Sequence, residues 1–114
     1  MDDAHRDHVE AIDRCVELCG ECHRSCLSAA GSGHPDGDHL RLLLDTAQMC
    51  QTAADFMLRG SPLHGYACGL CAHVCKVCHD RCQVGDLADV AEICARCADE
   101  CLHLSKLAAH DALV

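Results

Sequence analysis

The sequence predicts an all-α fold, an antiparallel up-down-up-down four-helix bundle. Four long segments rich in Ala, Leu, Glu and Arg lack proline beyond their first position, and short glycine-containing breaks separate them. Connections this short place consecutive helices side by side and antiparallel. No segment shows the apolar/polar alternation of a strand. We expect one domain over residues 1–114, with helices at 4–30, 38–59, 62–83 and 86–109.

Three breaks fix the order of the segments. The first is the loop from Gly31 to Gly37. The second is Gly60-Ser61-Pro62, where we expect Ser61 to be the N-cap and Pro62 the first helical residue. The third is Val84-Gly85-Asp86, which predicts Asp86 as the N-cap of the last helix.

Composition and charge indicate which partners are unsuitable and which cellular compartment to expect. The 114 residues carry a net charge of −9 without any Lys or Arg run, which argues against nucleic acid and anionic membranes as partners. No apolar stretch approaches the roughly 18–20 residues that span a bilayer. The acidic N-terminus has no hydrophobic signal region, so we expect a cytoplasmic protein. Because the cytosol keeps thiols reduced, 13 cysteines do not predict a disulfide scaffold there.

The cysteines follow helical stripes. At 100° per residue, those of the first helix fall within a wedge of about 60°. Spacings of three and four are typical of core positions in a bundle helix, so thiols occupy places where Leu is usual. Packing as small hydrophobes explains one or two such residues, not thirteen. The predicted inward-facing set is Cys15, Cys19, Cys22, Cys26, Cys50, Cys68, Cys71, Cys75, Cys78, Cys82, Cys94, Cys97 and Cys101.

A thiol-lined core indicates a soft metal, and the candidates are Cu(I), Zn(II) and iron–sulfur clusters. Several buried zinc–tetrathiolate sites, each with a net charge of −2, would cost much desolvation energy. A Cu(I) ion that displaces one thiol proton leaves the interior neutral, and bridging thiolates then allow roughly one ion per cysteine. One helical i,i+3 or i,i+4 pair has the spacing to hold a two-coordinate ion. The pattern therefore favours multiple Cu(I) ions.

Over nearly the whole chain, the sequence resembles the cytosolic copper storage proteins. The resemblance rests on the cysteine spacings from Cys15 to Cys26, on Cys50, on Ser61-Pro62 ahead of Cys68 to Cys82, and on Cys94 to Cys101. It implies a four-helix bundle that stores many Cu(I) ions in its core, no enzyme activity and a tetrameric assembly. Where members of the family can carry further cysteines, this chain has other residues, which suggests a smaller store: His8, Ile12, His39, Thr46, Leu87 and Val90.

Two other functions fit parts of the pattern. A Zn(II) or general thiolate sink would use the same cysteines, with roughly one zinc per four sulfurs. A dihaem c-type cytochrome would use two CxxCH strings, Cys19 to His23 and Cys75 to His79, but leaves nine of the 13 cysteines unexplained. A di-iron centre needs two Glu-x-x-His motifs, and the one candidate, Glu100 to His103, has its histidine off the stripe.

Other soft ligands sort to the two ends of the bundle. His8, Met57 and His64 lie on the inward lines, and antiparallel packing brings all three to one end. We expect Cu(I) to enter there through weak imidazole and thioether ligands. His39 lies inward at the opposite end, where Leu87 and Val90 form an apolar plug. We expect most of the remaining histidines to lie on the surface: His5, His23, His34, His73, His79, His103 and His110.

Partners follow from the same features. Copper ions are the expected ligand, delivered by a copper chaperone or a small-molecule carrier. Phe56, Tyr66 and the cluster Leu40, Leu42, Leu43 and Leu44 exceed what a narrow inward stripe needs. Helix two is therefore predicted to carry a second apolar face for subunit contact.

Overall fold

The computed structural model describes residues 3–33, 35–83 and 86–113. It contains four helices in an antiparallel bundle of 49 × 19 × 19 Å, which confirms the predicted fold. Each helix packs against its two neighbours in the order α1, α2, α3, α4 and back to α1. Within the described ranges, no helix is both long and apolar enough to cross a bilayer. The helices are α1 (Asp3–Ala30), α2 (Gly37–Leu58), α3 (His64–Cys82) and α4 (Ala88–Leu113).

The turn between α2 and α3 differs from the prediction. Gly60 has φ of 65°, and its N–H donates to Met57 O while the N–H of Ser61 donates to Phe56 O. These two bonds close α2 in a Schellman motif, for which glycine is favoured at positive φ. The predicted N-cap role of Ser61 is wrong, because Leu63 precedes the first residue of α3. The Ser61 hydroxyl instead accepts the N–H of Leu63 at 3.1 Å within the turn.

The N-termini of α2 and α4 are capped differently. Asp36 is the N-cap of α2, and its side chain accepts the N–H of His39. The helix α4 begins at Ala88, so Asp86 lies one residue too early to be its cap. The N–H of Ala91 donates to Leu87 O, which places Leu87 at the cap position.

Glycine permits close packing of α3 on α4. A β-carbon added at Gly65 would lie 2.6 Å from Ala108 Cβ, and one at Gly69 would lie 3.0 Å from Ser105 Oγ. The first distance is far shorter than van der Waals contact between carbon atoms, and the second is a tight contact between carbon and oxygen. Gly65 and Gly69 therefore set how closely the two helices approach at the end of the bundle that contains His64.

We predict that Gly65→Ala lowers the free energy of unfolding by about 1–3 kcal/mol, because overpacking forces α3 and α4 apart. Chemical denaturation of the metal-free protein measures the change. Gly20→Ala is the matched control, since its β-carbon would meet only the flexible end of Arg24 at 3.3 Å. The control gains helix propensity and keeps or raises stability. Equal stability of the two variants would contradict this account of the α3–α4 contact.

Candidate metal centre

All thirteen cysteines point into the core. Every one is a free thiol with no solvent exposure. This confirms that the stripes face inward, as the helical spacing predicts. The remaining core is made of small and aliphatic residues, with Leu43 and Leu104 the largest that are fully buried. The sulfurs thus form a column along the bundle axis, which we call the sulfur column.

Sulfur atoms from different helices are in contact along this column. Three cysteines of α1 contact cysteines of α4: Cys15 Sγ lies 3.4 Å from Cys101 Sγ, Cys19 Sγ lies 3.8 Å from Cys97 Sγ, and Cys22 Sγ lies 3.6 Å from Cys94 Sγ. Cys50, the only cysteine of α2, lies 3.7 Å from Cys75 Sγ of α3. Such distances are typical of weak thiol hydrogen bonds and place several donors around one point.

Four groups of thiols have the spacing to hold a metal ion, with all sulfurs of a group within 4.8 Å of one another. Two groups contain four thiols and two contain three. The groups are Cys19/Cys71/Cys97/Cys101, Cys22/Cys50/Cys75/Cys97, Cys15/Cys68/Cys101 and Cys22/Cys26/Cys94. Cys22, Cys97 and Cys101 each belong to two groups. Neighbouring groups therefore share ligands, as bridging thiolates do in multinuclear sites.

Thiol hydrogen bonds divide the column into proton acceptors and proton donors. The Cys101 thiol is the main cause that lowers the pKa of Cys19 and Cys97, and the Cys26 thiol does the same for Cys22. In return, the hydrogen bond to Cys15 raises the pKa of Cys101, with burial adding to it. A hydrogen bond favours the thiolate that accepts it and the protonated form of the thiol that donates it. The thiols that accept these hydrogen bonds are therefore the ones that give up a proton to a metal ion most readily.

Helix α2 contributes few donors. Its inward line consists of Leu43, Thr46, Cys50 and Met57, with alanines between them, and all are buried. The Thr46 hydroxyl donates to Leu42 O at 2.8 Å, so its hydrogen is used within the helix. The sulfur column is therefore built by α1, α3 and α4 and is completed by α2 only at Cys50.

One end of the bundle brings His8 and His64 together, with ring centroids 5.6 Å apart. The Nδ1–H of His64 donates to Ser61 O at 2.8 Å, which leaves Nε2 as the nitrogen with a lone pair. That Nε2 atom is buried and has no hydrogen-bond partner in the described part of the chain. Met57 is buried near the end of α2, at the same end of the bundle. On α4, sequence analysis missed Leu104, whose spacing of three from Cys101 places it on the stripe.

The opposite end is partly apolar. Val90 is buried and Leu87 packs against the core. His39 is half-buried, and its Nε2 atom lies 3.1 Å from Cys82 Sγ. Burial is the main cause that raises the pKa of Cys82 to about 12. The partner of His39 was not predicted, although the first turn of α2 and the last turn of α3 had to be neighbours.

The other histidines lie away from the sulfur column. His5, His73 and His103 are exposed, His79 lies beside Asp80 at 3.0 Å, and His23 is half-buried and donates from Nδ1 to Ala47 O at 2.7 Å. His34 lies outside the described residues, as does the side chain of His110.

The two CxxCH strings do not form haem sites. Their four cysteines, Cys19, Cys22, Cys75 and Cys78, are fully buried inside the bundle. Thioether bonds to a haem would require these sulfurs to lie on an open surface or in a haem-sized cavity. The histidines of both strings contact groups outside the sulfur column. The arrangement therefore fits metal ions between the helices and does not fit a covalently attached porphyrin.

Known proteins are similar to this chain in sequence and in fold. A copper storage protein family model matches residues 1–106. The cysteine-rich protein YhjQ of Bacillus subtilis is 32% identical over 97 residues, which are 82% of this chain and 88% of that protein. A solved Nitrosospira multiformis protein is 34% identical with a TM-score of 0.80, over 86% of this chain and 97% of its own. Copper storage protein 3 of Bacillus subtilis, in its apo form, is 27% identical with a TM-score of 0.76, over 82% of this chain and 97% of its own. The chain belongs to the copper storage protein family.

Proposed function

We propose that the protein stores several Cu(I) ions per chain, held by the thirteen cysteines of the sulfur column. The observation that carries this proposal is the sharing of Cys22, Cys97 and Cys101 between neighbouring thiol groups. Separate zinc–tetrathiolate sites need four sulfurs of their own, whereas Cu(I) accepts bridging thiolates with two or three ligands. Full burial of the sulfurs admits a bare ion and excludes larger substrates, so we propose a store and not an enzyme.

Competition between metals tests this choice. The reduced protein is given Cu(I) and Zn(II) together without oxygen, and the bound metals are counted by native mass spectrometry. We expect several copper ions and no retained zinc, because soft thiolates in a low-charge core favour the monovalent ion. Uptake of about one zinc per four cysteines, with copper excluded, would instead support the zinc sink.

The end formed by His8, Met57 and His64 is the proposed site of copper uptake. The buried lone pair of His64 Nε2 supports it, because neutral imidazole binds Cu(I) and its other nitrogen is already oriented by Ser61 O. His8 precedes Cys15 by seven residues on α1, and His64 precedes Cys68 by four on α3, so on each helix the histidine lies one or two turns closer to the end of the bundle than that cysteine. Weak ligands at this position would bind each Cu(I) ion briefly and then transfer it to the cysteine thiolates.

We predict that His8→Ala combined with His64→Ala slows Cu(I) loading roughly 10-fold and leaves the final copper content nearly unchanged. Stopped-flow loading from a chromophoric Cu(I) complex measures the rate. His73→Ala is the control, since His73 is exposed on α3 away from the column. A loading rate equal to that of the wild type would refute uptake at this end.

We further propose a cytoplasmic homo-oligomer, tetrameric as the family resemblance implies, that receives copper from a chaperone or a small carrier. A reducing compartment keeps thirteen free thiols available for metal. For the subunit contact, the expected leucine cluster of α2 is partly wrong, because Leu43 lies in the core. A groove between α2 and α3 fits better and is lined by Met49, Thr52, Phe56, Leu63, Tyr66, Ala67 and Leu70.

We predict that Leu70→Glu reduces the mass measured by light scattering, because the charge would lie in this groove at the subunit contact. Leu70 is 54% exposed and Tyr66 is 81% exposed, and both line the same apolar groove, which is the kind of grouped surface that marks a protein–protein contact. Leu102→Glu on α4 is the control and keeps the wild-type mass. A monomer mass of 12.2 kDa for the wild type would contradict the proposed assembly.

A further inference from the structure

The end of the bundle opposite His8 and His64 contains a second nitrogen–sulfur pair. His39 Nε2 lies 3.1 Å from Cys82 Sγ, a hydrogen-bonding distance. Cys82 Sγ also lies 3.9 Å from Cys78 Sγ, which belongs to the sulfur column. Cys82 itself is fully buried, whereas the residue His39 is half-buried and reaches solvent. The pair therefore connects the last sulfur of the column to the outside.

Local contacts hold the two residues in register. The Asp36 carboxylate accepts the N–H of His39 at 2.9 Å and fixes the first turn of α2. The same carboxylate accepts two hydrogen bonds from Arg81 Nη2, at 3.0 and 3.2 Å, next to Cys82 at the end of α3. The Asp36 side chain therefore links the start of α2 to the end of α3. These contacts hold His39 and Cys82 close together without involving the two side chains themselves.

Few thiols lie near Cys82, so a histidine ligand is important at this end of the bundle. Helix α2 places Leu43 and Thr46 where further thiols would lie, and both are fully buried. Cys82 consequently has one close sulfur neighbour, Cys78, and no thiol partner from α2. His39 is the donor that α2 offers at this end. One thiolate with one imidazole is a ligand set that Cu(I) accepts, and it holds the ion less strongly than a set of three or four thiolates.

We propose that His39 and Cys82 form a separate Cu(I) site with mixed nitrogen and sulfur ligation, where the protein exchanges copper with a soluble thiol carrier. This inference rests on the proposed function and adds a second point of exchange. It also changes the role of this end, which is more than an apolar plug. Leu87 and Val90 contribute to the apolar core at this end, whereas His39 is a half-buried polar side chain there.

The exchange is a ligand substitution without electron transfer. Cu(I) arrives bound to a carrier thiolate, and Cys82 Sγ forms a bond to copper as the bond to the carrier sulfur breaks. The proton of the Cys82 thiol passes to the released carrier thiolate, so charge is conserved and copper stays Cu(I). His39 Nε2, which accepts the S–H in its Nδ1–H tautomer, then offers its lone pair to the ion. Further exchange with Cys78 carries the ion into the column.

Nitrogen NMR of the histidine rings tests this site directly. Cu(I) is added stepwise, without oxygen, as its glutathione complex to the ¹⁵N-labelled wild-type protein. We expect the Nε2 resonance of His39 to shift on loading, while the ring nitrogens of the exposed His73 keep their positions. A protein that takes up several ions with no change at His39 would overturn the inference and leave the proposed function intact. A protein that takes up no copper would overturn both.

Variants supply a second, independent measurement. We expect His39→Ala to weaken the binding of one equivalent of Cu(I) by about 10-fold in competition with a chromophoric chelator. We expect Cys82→Ala to lose that equivalent, and His73→Ala to match the wild type. Wild-type affinity for every equivalent in His39→Ala would overturn the inference. His39→Gln keeps a polar residue at the helix start and gives the same comparison if the alanine variant is unstable.

Discussion

Replacing Cys97 by alanine is expected to remove more copper than replacing a cysteine that belongs to one thiol group. Cys97 is shared by both four-thiol groups, and its sulfur lies 3.8 Å from Cys19 Sγ and 4.0 Å from Cys101 Sγ. Loss of this sulfur leaves two groups with three thiols each. Because bridging ligands hold more than one ion, we expect a loss of about two or more Cu(I) ions per chain.

Cys68→Ala is the matched control for this experiment, because Cys68 is equally buried and belongs only to the group with Cys15 and Cys101. We expect it to lose about one Cu(I) ion per chain. Copper and protein are measured after gel filtration of each saturated variant under anaerobic conditions. Circular dichroism of the metal-free proteins verifies that both variants fold. Equal losses from the two variants would contradict bridging by Cys97.

Acidification from pH 8 to pH 6 is expected to weaken Cu(I) binding about 100-fold for each ion that displaces one thiol proton, since each pH unit changes the affinity tenfold. Hydrogen bonds to neighbouring thiols, followed by burial, raise the pKa of Cys50, Cys94 and Cys101. These sulfurs keep their protons throughout this pH range, so copper must displace them. The affinity for Cu(I) therefore rises with pH and is highest at alkaline pH.

The size of the pH effect should change during loading. Cys19 and Cys97 have a lowered pKa because they accept hydrogen bonds, with Cys101 the main donor, and they bind copper with less proton release. We expect the first ions to show a weak pH dependence and later ions a steep one. Chelator competition at pH 6, 7 and 8, together with proton release in weak buffer, measures both. Affinity independent of pH at every stage would show that the sulfurs are already thiolates.

Much of the fold followed from periodicity. The cysteine spacing predicted which face of each helix is buried, since a stripe repeated over several turns fixes the face independently of the helix ends. The start of α3 was predicted two residues too early, at Pro62. The sequence Ser61-Pro62 is typical of a helix start, but the Ser61 hydroxyl binds the N–H of Leu63 inside a turn. Local capping signals do not show which of two competing hydrogen bonds forms.

Contacts between helices were harder to predict. The angle of a residue on its helix does not give the axial offset between helices, which depends on the turns that join them. The same limit explains why His8 and His64 were assigned to one end but the His39–Cys82 pair was not found. The overlap of the thiol groups at Cys97 likewise depends on the relative heights of α1, α3 and α4.

Anaerobic titration of the reduced, metal-free protein with Cu(I) against a competing chromophoric chelator is the most direct test of copper storage. The sharing of thiols predicts tight uptake of roughly ten or more ions per chain, close to one per cysteine. The metal-free protein should already be helical, because protonated thiols pack as small apolar groups. Saturation at about two to four ions per chain would contradict the account, since it would mean separate sites of four thiolates each and no continuous store.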